Sequence, residues 1–97
     1  MSTVLVPLAQ GCEELEAVTI IDLLRRAEIN VITASLDGAT ITASRGVKLV
    51  ADQSLDEVIE QDFDMIVLPG GLSGANHLDD DERIHALLKK MDEAGKY

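Results

Sequence analysis

Only one cysteine, Cys12, occurs in these 97 residues, so no internal disulfide can form and a cysteine-stapled secreted scaffold is excluded. Aromatic side chains are nearly missing as well. Phe63 and Tyr97 are the two present, which leaves the core to Val, Ile and Leu. Basic residues are scarce: 8 Lys and Arg stand against 18 Asp and Glu, a net charge of −10. That sign repels phosphate backbones and anionic headgroups, and so argues against nucleic-acid and membrane-surface partners. Missing too is any apolar run near the ~20 residues that cross a bilayer, and the opening Met1-Ser2-Thr3-Val4-Leu5 carries no basic leader region. These absences point to the cytoplasm, with no membrane or targeting segment. A chain this short makes at most one small domain and buries only about two-thirds of the surface it exposes when unfolded.

What is present is an alternation of strand and helix signals. Thr3 to Leu8 is apolar with little alternation, as a strand covered on both faces must be, and is expected to be central. Glu13 to Ala27 predicts a helix, with acids in its first turn and Arg25-Arg26 in its last. Asn30 to Ser35 is β-branched and completes a βαβ unit. Asp37-Gly38 signals a turn, and Thr40–Ala43 and Val47–Val50 around Ser44-Arg45-Gly46 read as a small hairpin. Ser54 with Glu57 makes a capping box for a short helix through Glu60. Asp64 to Leu68 predicts a third buried strand. Asp80 or Asp81 then caps a helix carrying Ile84, Leu87, Leu88 and Met91 at helical spacing and ending at Gly95. The order describes half of an open doubly wound α/β sheet, whose raw edge something must complete.

Two constellations carry possible chemistry. In Glu13-Glu14-Leu15-Glu16 the helical repeat sends the carboxylates to different faces. Glu16 falls in line with Thr19, Ile20 and Leu23, a largely apolar stripe expected to face the sheet. Partial desolvation there favours the neutral acid, a group able to exchange protons near neutrality. Glu13 and Glu14 are read as complements to the helix macrodipole. The second constellation is the glycine-rich stretch Leu68-Pro69-Gly70-Gly71-Leu72-Ser73-Gly74, expected as a turn at the carboxyl end of a buried strand, where open α/β sheets place ligands. Glycines there allow backbone N–H groups to converge on an anion or a developing oxyanion. Cys12 precedes a helix N-terminus, but the adjacent glutamates oppose a thiolate, so it is expected to be a small, partly buried thiol, with sensitivity to oxidation as the second reading. His77 and His85 lack metal-ligand spacing, so no metal site is expected. A receiver-like module would need an aspartate where Leu68-Pro69 stands. A flavin module would meet Glu13-Glu14 where phosphate should sit.

Leu8-Ala9-Gln10-Gly11-Cys12-Glu13-Glu14-Leu15-Glu16-Ala17-Val18, Ser44-Arg45-Gly46-Val47 and Val67-Leu68-Pro69-Gly70-Gly71, in that order, resemble the ThiJ/PfpI superfamily, in its parkinsonism-associated deglycase and YajL-like branch. The resemblance implies a flavodoxin-like three-layer sandwich with a mainly parallel sheet, of which residues 1–97 are the N-terminal part of a single domain, completed by a C-terminal segment. It implies a homodimer and a reactive cysteine on a strained elbow after the next strand, beyond Tyr97. By the same resemblance Glu16 hydrogen-bonds that cysteine and relays protons, Gly70 and Gly71 place amides beside it, and Arg45 approaches from the dimer partner. The implied activities need no cofactor: glyoxalase or deglycase action on small reactive aldehydes, or oxidative-stress sensing and chaperoning through the cysteine.

Overall fold

The computed structural model of the chain describes residues 3–38, 40–70 and 72–96, the side chains of 72–75 excepted. Strand β1 (Thr3–Leu8) is buried from Val4 onward. Its side chains alternate between two cores. Val4, Val6 and Leu8 pack with Cys12, Ala17, Val31, Ile41 and Ala43 on one face. Leu5, with Ala9 just beyond the strand, packs with Leu55, Val58, Phe63, Ile84, Leu87 and Met91 on the other. An unbroken apolar run is what such two-sided coverage requires.

Helix α1 (Glu14–Arg26) crosses from β1 to β2 (Asn30–Ser35), which lies parallel to β1 in register from Thr3↔Asn30 to Leu8↔Ser35. A hairpin follows, β3 (Ile41–Thr42) antiparallel to β4 (Lys48–Leu49). Strand β5 (Gln53–Ser54) then runs into α2 (Leu55–Val58), with Ser54 and Glu57 forming the expected capping box. Strand β6 (Met65–Ile66), α3 (Leu72–Asp80) and α4 (Glu82–Glu93) complete the described chain. The main sheet has the order β5-β2-β1-β6, all parallel. α1 and the hairpin cover one face, α2 and α4 the other, which is a flavodoxin-like three-layer arrangement with β1 central. Asp81 caps α4, and Gly95 follows its end at φ 72°. No helix among the described residues is long and apolar enough to cross a membrane.

Three expectations are revised. The face of α1 that meets the sheet is Ala17, with Ile21 and Leu24 packed beside it; Leu23 on the other stripe is 60% exposed, and Glu16 itself is exposed. The stripe through Ala17 is apolar throughout, so burying it strands no carboxylate, whereas the stripe through Glu16 would. β5 was not anticipated: two polar residues carry no alternation, and they pair because the chain must pass Ala34 and Ser35 on its way to the Ser54 cap. α3 lies where a glycine-rich loop was expected.

The two sheet margins differ. Beside β5, Asp52 takes the Thr33 N–H at 3.1 Å and Arg25 donates to the Val31 carbonyl at 3.3 Å, covering β2's outer backbone with side chains. β6 is the opposite edge strand. Met65 and Leu68 are 38% and 40% exposed there, beside a groove of about 230 Å³ lined by Leu68, Pro69, Leu78, Ile84 and Leu88 among others.

Candidate functional site

Because β1 and β6 are adjacent and parallel, the segments leaving their carboxyl ends meet at one edge of the sheet. Two hydrogen bonds join them: the Glu13 N–H donates to the Gly70 carbonyl at 2.9 Å, and the Gly70 N–H donates to Glu16 Oε1 at 2.9 Å. The anion held by Gly70's amide is thus the chain's own Glu16 carboxylate. A Cβ at residue 70 would stand 2.9 and 3.1 Å from its two oxygens, so this close approach requires glycine. Glu16 Oε2 has no hydrogen bond among the described residues. Gly71, the other glycine of the expected pair, lies outside the described residues, as does Tyr97.

Each of the other glutamates has its own partner. Glu13 caps α1, its Oε2 accepting from the Glu16 N–H at 2.5 Å. Glu14 reaches the hairpin turn, accepting from Ser44 Oγ at 2.9 Å and from the Arg45 N–H at 2.9 and 3.2 Å. Desolvation pushes the Glu14 carboxyl upward, but hydrogen bonds from its own N–H, Ser44, Arg45 and Val47 together outweigh it and hold the group below the usual carboxylate range. The macrodipole role expected of Glu13 and Glu14 therefore understates them. The signal was available, since adjacent helical positions point in different directions and three acids so placed can meet three different neighbours.

Gln10 also went unnoticed. Its amide donates to the Thr40 carbonyl at 2.9 Å and to Asp37 at 3.2 Å, and accepts from the Thr42 N–H at 2.9 Å. With Gly11 N–H to Thr42 O and Ser44 N–H to Cys12 O, it docks the hairpin along residues 10–12. Cys12 lies beneath, fully buried. Burial first, then the Glu14 and Glu13 charges, push its thiol up against its own backbone hydrogen bond, leaving a neutral, covered sulfur. The Arg45 guanidinium is exposed and has no ion pair or hydrogen bond among the described residues. His77 and His85 are exposed; His85 lies in the groove beside Gly70, with Nε2 2.5 Å from the Asp79 carbonyl oxygen. Among the described residues no three His, Cys, Asp or Glu side chains converge as metal ligands.

A family model described as the DJ-1/PfpI family matches residues 2–97. The chain is 51% identical over 94 residues to Protein DJ-1 homolog B of Arabidopsis thaliana, covering 96% of this chain and 22% of that protein. It is 34% identical over 93 residues to a protein named Deglycase TK1284 from Thermococcus kodakarensis, covering 96% of this chain and 55% of that one. Among solved structures, that of oxidized Toxoplasma gondii DJ-1 superposes with a TM-score of 0.96 at 42% identity, over 99% of this chain and 53% of the other. The chain thus spans about half the length of several relatives, and less of the Arabidopsis protein.

Proposed function

Because the chain belongs to the DJ-1/PfpI family, we propose that it supplies one wall of a cysteine-dependent site for small reactive carbonyls, of the glyoxalase or deglycase kind. The observation that carries this reading is the Glu16 carboxylate, fixed through Oε1 on the Gly70 amide while Oε2 makes no hydrogen bond among the described residues. A carboxylate held by one oxygen presents the other in a defined direction, as a proton relay must. In the reaction, a thiolate on a segment beyond Tyr97 adds to the aldehyde carbon. Glu16 takes the proton as the thiol becomes that thiolate; the C–S bond then forms, the carbonyl π electrons move to oxygen, and Glu16 returns the same proton to that oxygen. A relative named as a deglycase, 34% identical over 96% of this chain, supports the substrate class.

The same reading gives the chain two partners. The C-terminal segment of this single domain lies along the open β6 edge and fills the groove between Leu68 and Leu88. A second copy covers the exposed apolar residues of α1, Leu15, Val18 and Leu23, together with Val47 and Val50 on the hairpin side, and brings Arg45 to the neighbouring site. The single buried cysteine suits a reducing compartment, and the cytoplasm is the proposed one. An oxidised structural relative favours a second reading. In it the same cysteine is an oxidative-stress sensor or the switch of a chaperone, and Glu16 hydrogen-bonds its oxidised form. Turnover of methylglyoxal by the whole polypeptide, wild type beside Cys12→Ala, tests the assignment. Equal rates are expected, and loss of turnover in Cys12→Ala would make Cys12 the nucleophile and overturn the scheme. No turnover in the wild type, with client binding that responds to cysteine oxidation, would favour the sensor.

A further inference from the structure

We propose that Glu14 is a positioning residue, whose carboxylate fixes the Arg45 turn so that the guanidinium is presented to the site of a second copy. The inference rests on the reading above in that it takes Arg45 to serve such a site. β3 and β4 are two residues each, a hairpin too short to hold its own turn firmly. Within the turn, Ala43 donates to Val47 O at 2.8 Å and Gly46 to Ala43 O at 2.9 Å, with Gly46 at φ 88°. That curvature turns the Arg45 N–H toward α1, with no backbone acceptor among the described residues. Glu14 supplies one: Oε2 stands 2.9 Å from the Arg45 N–H, and Oε1 2.9 Å from Ser44 Oγ. Turn N–H and O–H groups gathered on one carboxylate make an anion nest, here filled from within the chain.

The placement follows from helix geometry. Glu14 and Glu16 are two residues apart on α1, so they point roughly 200° away from each other around the helix while only about 3 Å apart along it. One reaches the hairpin, the other Gly70. A single helical turn therefore sets both the Arg45 turn and the Gly70 turn, and the distance between them cannot drift unless that turn unwinds. An acid serving only the macrodipole would gain equally from any orientation in the first turn. Glu14 instead spends its acceptors on residues 30 and 31 positions along the chain. The Arg45 backbone is held while its guanidinium stays unpaired among the described residues, an arrangement that offers the cation to something outside this chain.

Amide hydrogen exchange on the whole polypeptide tests this in wild type, Glu14→Gln and Glu14→Ala. The Arg45 amide should lose roughly tenfold protection in Glu14→Ala, and less in Glu14→Gln, which keeps a neutral acceptor. The β1 and β2 amides should be unchanged, showing that the fold survives. Undiminished Arg45 protection in a folded Glu14→Ala protein overturns the proposal. A kinetic readout separates positioning from mere support. Glu14→Ala should reproduce the loss in kcat/KM for methylglyoxal caused by Arg45→Gln and add nothing in the Arg45→Gln background; additive losses overturn the coupling. Exchange decides the matter even where the wild type shows no turnover, so failure of this inference and failure of the carbonyl reading are told apart.

Discussion

Replacing Gly70 by alanine asks whether the Gly70–Glu16 contact is the joint of the site. The added Cβ would lie 2.9 and 3.1 Å from the Glu16 carboxylate oxygens and 3.4 Å from Cδ, closer than carbon and oxygen tolerate. Gly70 is not among the glycines at positive φ, so alanine costs nothing in backbone strain there, and the clash falls on the end of a flexible side chain. Glu16 swings away and the Gly70 N–H loses its acceptor. One such bond is worth about 1 kcal/mol, toward the lower end because Glu16 is exposed. In the whole polypeptide, a domain about twice this length, that shifts Tm by roughly 2–4 °C. Thermal unfolding of wild type, Gly70→Ala, Glu16→Ala and the double variant isolates the contact. With Glu16 already truncated, Gly70→Ala should be neutral or slightly stabilising, because alanine restricts the unfolded chain. The same cost in both backgrounds would refute the reasoning. Gly46→Ala is the control: it sits at φ 88° with nothing near its Cβ, so its cost should be independent of Glu16.

Other consequences follow from the ion pairs. Arg83 donates to Asp81 at 2.7 Å, Asp56 at 2.8 Å and the Leu36 carbonyl at 2.6 Å, so Arg83→Met should destabilise by about 1–2 kcal/mol in urea unfolding, mainly by removing the donor of the Leu36 carbonyl and leaving Asp81 with only its cap bonds from the backbone N–H groups of residues 83 and 84. Hydrogen bonding from Arg83 holds the Asp81 carboxyl below its usual range against some desolvation. At Asp52 desolvation is the largest influence and raises, but bonds from Thr33 and Arg25 outweigh it. A depressed folded pKa contributes stability that is present above the unfolded pKa and lost as pH falls through the folded one. Stability should therefore hold from pH 7 to about 5 and fall below about pH 4. Asp81→Asn should flatten that acid slope in urea titrations.

Much of the frame was legible because its signals are collective. β1 and β2 are unbroken apolar or β-branched runs, and the ends of α1 and α4 carry charged residues, caps and Gly95 where the backbone needs them. β5 and α3 were not legible. Gln53–Ser54 becomes a strand only because β2 offers it a neighbour, and α3 contains Gly74, a residue that weakens helical propensity. α1 offers two competing stripes, and choosing between them needs the sheet: Ala17 is small enough for close packing and Leu23 is left outside. The site was half legible. That Glu16 and Gly70 lie in one place was implied by the family resemblance, though not that they bond to each other, whereas the grip of Glu14 on Ser44 and Arg45 spans 30 residues and depends on hairpin geometry no local pattern records.

The measurement that bears most directly on the account is methylglyoxal turnover by the whole polypeptide, wild type against Glu16→Gln. The neutral isostere keeps an oxygen for the Gly70 N–H but cannot shuttle a proton, so kcat/KM should fall by roughly 10²-fold or more with the fold unchanged. Turnover equal to the wild type would contradict the role of Glu16 and, with it, the site.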